Sequence, residues 1–166
     1  VVEQLIEFLQ SNGLMPRLQS AYRRHHSTET PLLRVMSDLL RAADSRRVTL
    51  LGLLDLSAAF DCVDTEILLE RLRRAFGVDS LALQWIRSFL VDRTQQVSYG
   101  GRLSSVGCLR CGVPQGSVLG PLLFLLYTAD VASIAQRHGV SVHAYADDTQ
   151  LYACCHAAVG QTSATR

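Results

Sequence analysis

Three carboxylates in this sequence have the types and surroundings of metal ligands. Asp55 closes an otherwise apolar run that begins at Val48, and Asp147 and Asp148 lie together between two short apolar stretches. If the strands that carry them are neighbours in one sheet, opposite side chains lie about 5 Å apart. Carboxylates so close repel one another unless a cation joins them, and oxygen ligands select Mg²⁺ or Mn²⁺ over zinc. Two such ions, roughly 4 Å apart, can clamp the attacking and leaving oxygens of a phosphoryl transfer.

Each of these features also has an ordinary structural explanation. Adjacent aspartates between two strands are common simply as turn residues. Asp55 could cap the element that follows its strand, and the segment Val113-Pro-Gln-Gly116 is by composition only a loop that enters a helix. The catalytic interpretation therefore depends on these features occurring together.

The cysteines and a histidine of this sequence offer an alternative, a zinc site. Cys108 and Cys111 form a C-x-x-C pair, and Cys154, Cys155 and His156 are consecutive. Both groups fall in stretches predicted to be strands, where positions three apart point to opposite faces of a sheet. Neither group can easily hold one metal ion without an intervening turn, so free thiols are the favoured interpretation.

The elements that must position the carboxylates follow from hydrophobic periodicity. Apolar residues at helical spacing, with Asp64 as a cap and Gly77 as a stop, predict helices on both sides of a buried strand at 48–56. A hairpin about Gly100-Gly101, a long helix over 118–138 and two short strands joined at Asp147-Asp148 follow. Strands and helices without regular alternation favour an α+β fold, an antiparallel sheet with helices packed on one face.

Composition restricts the chemistry and the location. All 16 basic residues are arginine, so no lysine of this sequence can act as acid, base or nucleophile. Arginine suits phosphate binding, although codon bias explains the same choice. An odd number of cysteines, five, and no leader pattern favour an intracellular protein with reduced thiols. The longest apolar run is too short to span a bilayer, so we expect no membrane partner.

Three segments together resemble reverse transcriptases of non-LTR (LINE-type) retrotransposons. Leu54-Asp-Leu-Ser-Ala-Ala-Phe-Asp61 is similar to motif A of the palm, within residues 53–61. The segment from Gly112 to Phe124, which contains Val-Pro-Gln-Gly, resembles motif B, and Ala144-Tyr-Ala-Asp-Asp-Thr-Gln-Leu-Tyr152 resembles motif C. The stretch from Gln19 to Thr30 resembles the fingers segment written Q-x-G-F-R-x-x-x-S-T, with Ala21-Tyr22 in place of Gly-Phe.

The resemblance implies a role for each matching residue. Asp55 and Asp147 would be catalytic ligands of two Mg²⁺ ions, with Mn²⁺ as a substitute. Asp148 would be a neighbouring catalytic carboxylate that contributes less to holding the metal ions. Leu56 would offer its backbone carbonyl to the same ions. Phe60 would lie under the incoming sugar and exclude a 2′-hydroxyl.

Four further residues would contact nucleotide or template. Gln115 would place its amide near the template base pair, and Gly116 would let the backbone approach the ligand closely. Arg23 would meet the triphosphate or the template backbone, with Arg24 as the alternative if the register slips. An exposed arginine without a ligand explains Arg23 equally well.

The resemblance also implies a domain plan and partners. Residues 1–47 would be a partial, helical fingers segment, 48–156 the palm and 157–166 a truncated tail, with the thumb missing. The function would be RNA-directed DNA polymerisation for retrotransposition, with an RNA template, a DNA primer and dNTPs as partners. The full-length protein would act in the nucleus. A translated retroelement remnant that binds RNA weakly without catalysis is the first alternative, and an RNA-dependent RNA polymerase is the second.

Overall fold

A computed structural model describes residues 1–23 and 26–156 of the chain. Arg24 and the segment 157–166 lie outside the described residues, so the predictions made for them stay untested. The described residues form two compact units, one of residues 1–17 and 56–131 and the other of residues 18–55 and 132–156. This grouping differs from the fingers and palm division expected above, which remains a prediction about function.

The first unit is a helical core with two small β-ladders. Its helices are α1 (Val2–Ser11), α3 (Thr65–Arg74), α4 (Ser80–Leu90) and α5 (Leu119–Tyr127). Helix α2 (Glu29–Asp44), which lies between α1 and α3 in the sequence, belongs to the other unit. The short strands are β2 (Thr94–Gln95), β3 (Ser98–Tyr99), β4 (Arg102–Leu103) and β5 (Gly107–Cys108), paired β2 with β5 and β3 with β4. The expected hairpin is thus confirmed, but its ladder is interrupted.

The core of this unit is made by the apolar faces that the periodicity predicted. Leu9, Leu68, Leu72 and Leu123 are fully buried in one cluster. Asp64 caps α3 as expected, because its Oδ1 accepts a 3.0 Å hydrogen bond from the amide of Ile67.

The long helix predicted over 118–138 is wrong. The chain forms α5 and a separate helix α6 (Val131–Arg137), with a turn between them. Arg71 contacts the chain at this break: its guanidinium donates to the carbonyl of Tyr127, where α5 ends, and to both carboxylate oxygens of Asp130 at 2.5 and 2.6 Å. The stretch Leu119–Arg137 is long and apolar enough to cross a membrane by length and composition, and in this structure the leucines of α5 are buried in the core.

The second unit is an antiparallel sheet with a helix packed against it. Its strands are β1 (Arg47–Leu54), β6 (Ser141–Tyr145) and β7 (Asp148–His156), in the order β1-β7-β6. Helix α2 (Glu29–Asp44) packs on β1 and β6. The α+β class with an antiparallel sheet is confirmed.

The expectation that residues 48–56 form a buried strand is wrong. β1 is the edge strand of the sheet, and Leu50 and Leu53 are 75 and 71 % exposed. Composition identified the strand correctly, but an apolar run carries no information about what covers it. Asp55 at the end of this strand is exposed as well, so burial does not by itself demand a cation there.

Candidate nucleotidyl-transfer site

The pairing of β1 with β7 brings the predicted carboxylates to the same end of one sheet. Leu54, the last residue of β1, is opposite Thr149 in β7. Continued by one residue, this antiparallel register places Asp55 opposite Asp148. Opposite positions of an antiparallel pair are about 5 Å apart, which is the separation that the sequence predicted for neighbouring strands.

Asp147 lies in the tight turn that joins β6 to β7. Because Tyr145 pairs with Asp148, the turn consists of only two residues, Ala146 and Asp147. Asp147 is half-buried, whereas Asp55 and Asp148 are exposed. Ala146 has a φ of 55°, in the left-handed region, where a residue with a Cβ is strained.

The side chain of Gln19 holds this turn. Its Oε1 accepts hydrogen bonds from the amides of Ala146 (2.9 Å) and Ala21 (3.0 Å), and its Nε2 donates to the carbonyl of Ala146 (3.0 Å). Gln19 is only 6 % exposed. The segment that contains Gln19 therefore contacts the turn at the end of this sheet directly.

The residues after Gln19 lie near the same turn. Partial desolvation, followed by the nearby carboxylate of Asp147 and the hydroxyl of Tyr145, raises the pKa of Tyr22 above its usual value, although the side chain is more than half exposed. Arg23 donates from Nη1 to the carbonyl of Gln19 at 3.2 Å. Arg23 and Asp147 belong to the same unit of the structure.

Sequence reasoning missed Gln19 and Tyr22 as members of this site. In the sequence, Gln19 stands out only as the first residue of the fingers motif, and Tyr22 only as an aromatic residue in place of its phenylalanine. Nothing local in the sequence indicates a hydrogen bond between positions 127 residues apart. The sequence predicts the turn at Asp147-Asp148, whereas in the structure it is Ala146-Asp147, so the alanine in a turn position that usually requires glycine or asparagine is seen only in the structure.

The carboxylates fit magnesium or manganese by donor type. Among residues 1–23 and 26–156, no group of three or more His, Cys, Asp or Glu side chains is already gathered around a common point. Mg²⁺ does not need such a cage, because in nucleotide-processing sites one or two carboxylates suffice and substrate phosphates and water complete the shell. All five cysteines are free and exposed.

Phe60 and the motif B residues belong to the other unit and are described in their own surroundings. The ring of Phe60 packs against Phe124 with centroids 5.0 Å apart and planes tilted by 38°. The amide of Val113 donates to the carbonyl of Phe60 at 2.8 Å. These contacts fix Phe60 against the start of motif B, and its side chain remains half-buried.

Gln115 and Gly116 lie exposed in the loop before α5. Gly116 has a φ of 78°, and no protein atom lies within 4 Å of the position that a Cβ would take. Both the backbone conformation and the open space agree with a glycine that leaves room for a ligand. Ser117 stabilises the loop, since its Oγ donates to the carbonyl of Pro114 at 2.6 Å and accepts from the amide of Gly120 at 2.9 Å.

Comparison with known proteins agrees with this geometry. Residues 1–162 match the family described as "Reverse transcriptase (RNA-dependent DNA polymerase)". The chain is 32 % identical to the "RNA-directed DNA polymerase from mobile element jockey" of Drosophila melanogaster, over 90 % of this chain and 17 % of that protein. It is 35 % identical to the jockey polymerase of Drosophila funebris, over 81 % of this chain and 15 % of that protein. The chain thus spans less than a fifth of these relatives.

Solved structures share the fold at lower identity. A truncated apo telomerase from Candida tropicalis superposes with a TM-score of 0.68 at 18 % identity, covering 92 % of this chain and 34 % of the telomerase. A telomerase from Candida albicans, solved with a fragment of telomeric RNA, gives a TM-score of 0.65 at 15 % identity over 90 and 29 % of the two chains.

Proposed function

This chain belongs to the reverse transcriptase (RNA-dependent DNA polymerase) family, and we propose that it carries the nucleotidyl-transfer centre of a retrotransposon polymerase. In the reaction, directed by an RNA template, a primer 3′-hydroxyl loses its proton and attacks the α-phosphate of a dNTP; the new phosphodiester bond forms as the bond to the β-phosphate breaks and pyrophosphate leaves. The pairing of Leu54 with Thr149, which continued by one residue brings Asp55 opposite Asp148 and beside Asp147, is the observation that carries this proposal.

In the proposed site, Asp55 and Asp147 are the principal ligands of two Mg²⁺ ions, which Mn²⁺ can replace. The ions supply charge neutralisation at the attacking and leaving oxygens. Asp148 lies directly opposite Asp55 and adds negative charge beside the ligands. The backbone carbonyl of Leu56, the residue after Asp55, is an oxygen donor of the type that suits the same ions.

Other residues select and orient the nucleotide in this proposal. Phe60 presents a ring that excludes a 2′-hydroxyl by shape, which favours dNTPs over rNTPs. Gln115 and Gly116 contact the template base pair. Two features support this role: the loop that carries them is exposed, and Gly116 is open on the side of its missing Cβ. Arg23 contacts the triphosphate or the template backbone through its planar guanidinium. Arg24, the alternative, remains a sequence-based prediction.

The proposed partners are an RNA template, a DNA primer and dNTPs. Support for RNA comes from the family match and from the telomerase of similar fold that was solved with an RNA fragment. A nuclear location for the full-length protein and the absence of a membrane partner are part of the same proposal.

Primer extension tests this function. We would compare the protein with Asp147→Ala and with Asp44→Ala on a primed RNA template with dNTPs and Mg²⁺. Asp44 is a matched control, since it is an exposed aspartate of the same unit at the end of α2, before β1 begins. β1 is eight residues long, so its two ends are about 26 Å apart.

We expect extension by the protein and by Asp44→Ala, and none by Asp147→Ala. Equal extension by all three variants would remove Asp147 from the metal site. No extension by any of them, combined with weak RNA binding, would instead support the retroelement remnant without catalysis. Extension with rNTPs in place of dNTPs would support an RNA-dependent RNA polymerase.

A further inference from the structure

The turn that carries Asp147 is held in a conformation that its own residues do not favour. A two-residue hairpin turn with a positive φ at its first position normally has glycine or asparagine there. This chain has Ala146, with a φ of 55°. Such a conformation persists only where surrounding contacts determine it, and conformations of this kind cluster at functional sites.

Gln19 supplies those contacts. It bonds both polar backbone groups of Ala146, accepting from the amide and donating to the carbonyl. A carboxamide is the side chain that offers an acceptor and a donor on one rigid plane. Asparagine has the same group, but its chain is one methylene shorter. The second bond to Oε1, from the amide of Ala21, fixes the plane of the carboxamide.

The backbone around Gln19 is itself anchored on the sheet. The amide of Ser20 donates to the carbonyl of Ala144 at 2.9 Å, and the amide of Ala144 donates to the carbonyl of Leu18 at 2.8 Å. Through this parallel bridge, residues 18–20 lie alongside β6 at the edge of the sheet. The carboxamide therefore contacts the turn from a fixed base, not from a mobile loop.

We propose that Gln19 is a positioning residue, which clamps Ala146 in its left-handed conformation and thereby fixes the place of Asp147. The inference rests on the proposed metal-binding role of Asp147. Gln19 contacts neither metal nor substrate in this proposal. It acts only through the turn, as residues behind metal ligands commonly do.

The test measures Mn²⁺ affinity by electron paramagnetic resonance, which does not depend on activity. Gln19→Ala should weaken Mn²⁺ binding about tenfold or more, the range seen when a residue behind a metal ligand is removed. Gln136→Ala, which changes an exposed glutamine of the same unit, should leave the affinity unchanged. Asp147→Ala identifies the signal that belongs to the site.

The combination with Ala146→Gly distinguishes a clamp from a general effect on folding. Glycine adopts a φ of 55° without strain, so the turn no longer needs the clamp. We therefore expect Gln19→Ala with Ala146→Gly to recover most of the lost affinity. A double variant that binds no better than Gln19→Ala would overturn the proposal.

Gln19→Glu keeps the test decisive if Gln19→Ala does not fold. The glutamate has the same shape and still accepts from the two amides, but it cannot donate to the carbonyl of Ala146. We expect reduced Mn²⁺ affinity, again recovered in part by Ala146→Gly; wild-type affinity in a folded Gln19→Glu would overturn the clamp.

The outcomes separate the clamp from the function it depends on. Binding that Asp147→Ala abolishes and that no change at Gln19 affects would refute the clamp and leave the proposed function intact. Absence of any Asp147-dependent Mn²⁺ site in the unchanged protein would refute both.

Discussion

The hydroxyl of Tyr152 donates a 2.6 Å hydrogen bond to the carboxylate of Asp38, which joins β7 to helix α2. Tyr152 is only 6 % exposed. Burial, followed by the hydrogen bond to Asp38, raises the pKa of Tyr152 to about 12. The strand that begins at Asp148 is therefore tied to the helix that covers the sheet, within one unit of the structure.

Tyr152→Phe should lower the free energy of unfolding by about 1–2 kcal/mol, because the Asp38 carboxylate loses a charge-assisted hydrogen bond. Urea denaturation at pH 7 measures this loss. Tyr99→Phe is the matched control, since Tyr99 is 87 % exposed and its removal should change nothing measurable. Equal urea midpoints for Tyr152→Phe and the unchanged protein would show that this hydrogen bond does not stabilise the fold.

Acid should destabilise the protein through His143. This side chain is 5 % exposed, and its Nε2 is 2.8 Å from Ser20 Oγ. Burial, and then the positive charges of Arg34 and His26, lower the pKa of His143, while Asp38 opposes them. The unfolded chain therefore binds the proton first as pH falls. Stability is complete above pH about 6.5 and decreases as pH falls below that value toward the lowered pKa.

Thermal unfolding at several pH values between 5 and 8 checks this expectation. His143→Gln removes the titrating group and should flatten the dependence of Tm on pH. His138→Gln, which changes an exposed histidine at the end of α6, should keep the original slope. The same slope in all three proteins would assign the acid sensitivity to other groups.

Phe60→Ala should relax sugar discrimination. We expect the ratio of kcat/KM for dNTPs over rNTPs to fall about tenfold or more, the range that shape changes in a pocket produce. Phe89→Ala is a suitable control, because Phe89 is also partly buried in the same unit, where it stacks on Trp85. Discrimination that survives in Phe60→Ala would remove Phe60 from the role of steric gate.

Two glycines of motif B should respond differently to alanine. A Cβ on Gly112, where φ is 90°, would lie 3.0 Å from the Cα and carbonyl oxygen of Asp61. Strain and steric overlap together should cost about 2–5 kcal/mol. Gly116→Ala meets no atom within 4 Å, so it should cost only the left-handed strain, about 1–2 kcal/mol.

Urea denaturation ranks the two glycine variants, and primer extension adds a second reading. If Gly116 leaves room for template or nucleotide, Gly116→Ala should fold and yet lose activity. A folded Gly116→Ala with full activity would show that nothing approaches the backbone there. Equal destabilisation by both substitutions would contradict the packing described around Gly112.

Much of the fold follows from local sequence patterns. The apolar periodicity of α3 and α4, the Asp64 cap and the Gly100-Gly101 turn are confirmed, because each depends on residues a few positions apart. The same patterns were wrong about the helix over 118–138. Arg71, which belongs to α3, donates to the carbonyl of Tyr127 at the end of α5. The residues near Tyr127 in the sequence do not indicate this contact.

The sequence by itself determined the chemistry available to this protein: which residues are acids, that Asp55 comes at the end of a strand, and that a tight turn lies beside Asp147; the turn itself is Ala146-Asp147, one residue earlier than predicted. Only the tertiary structure decided that β1 is an exposed edge, that its register sets Asp55 opposite Asp148, and that Gln19 bonds Ala146. Residue type and periodicity are local properties, whereas strand register and buried hydrogen bonds depend on which distant segments meet when the chain folds.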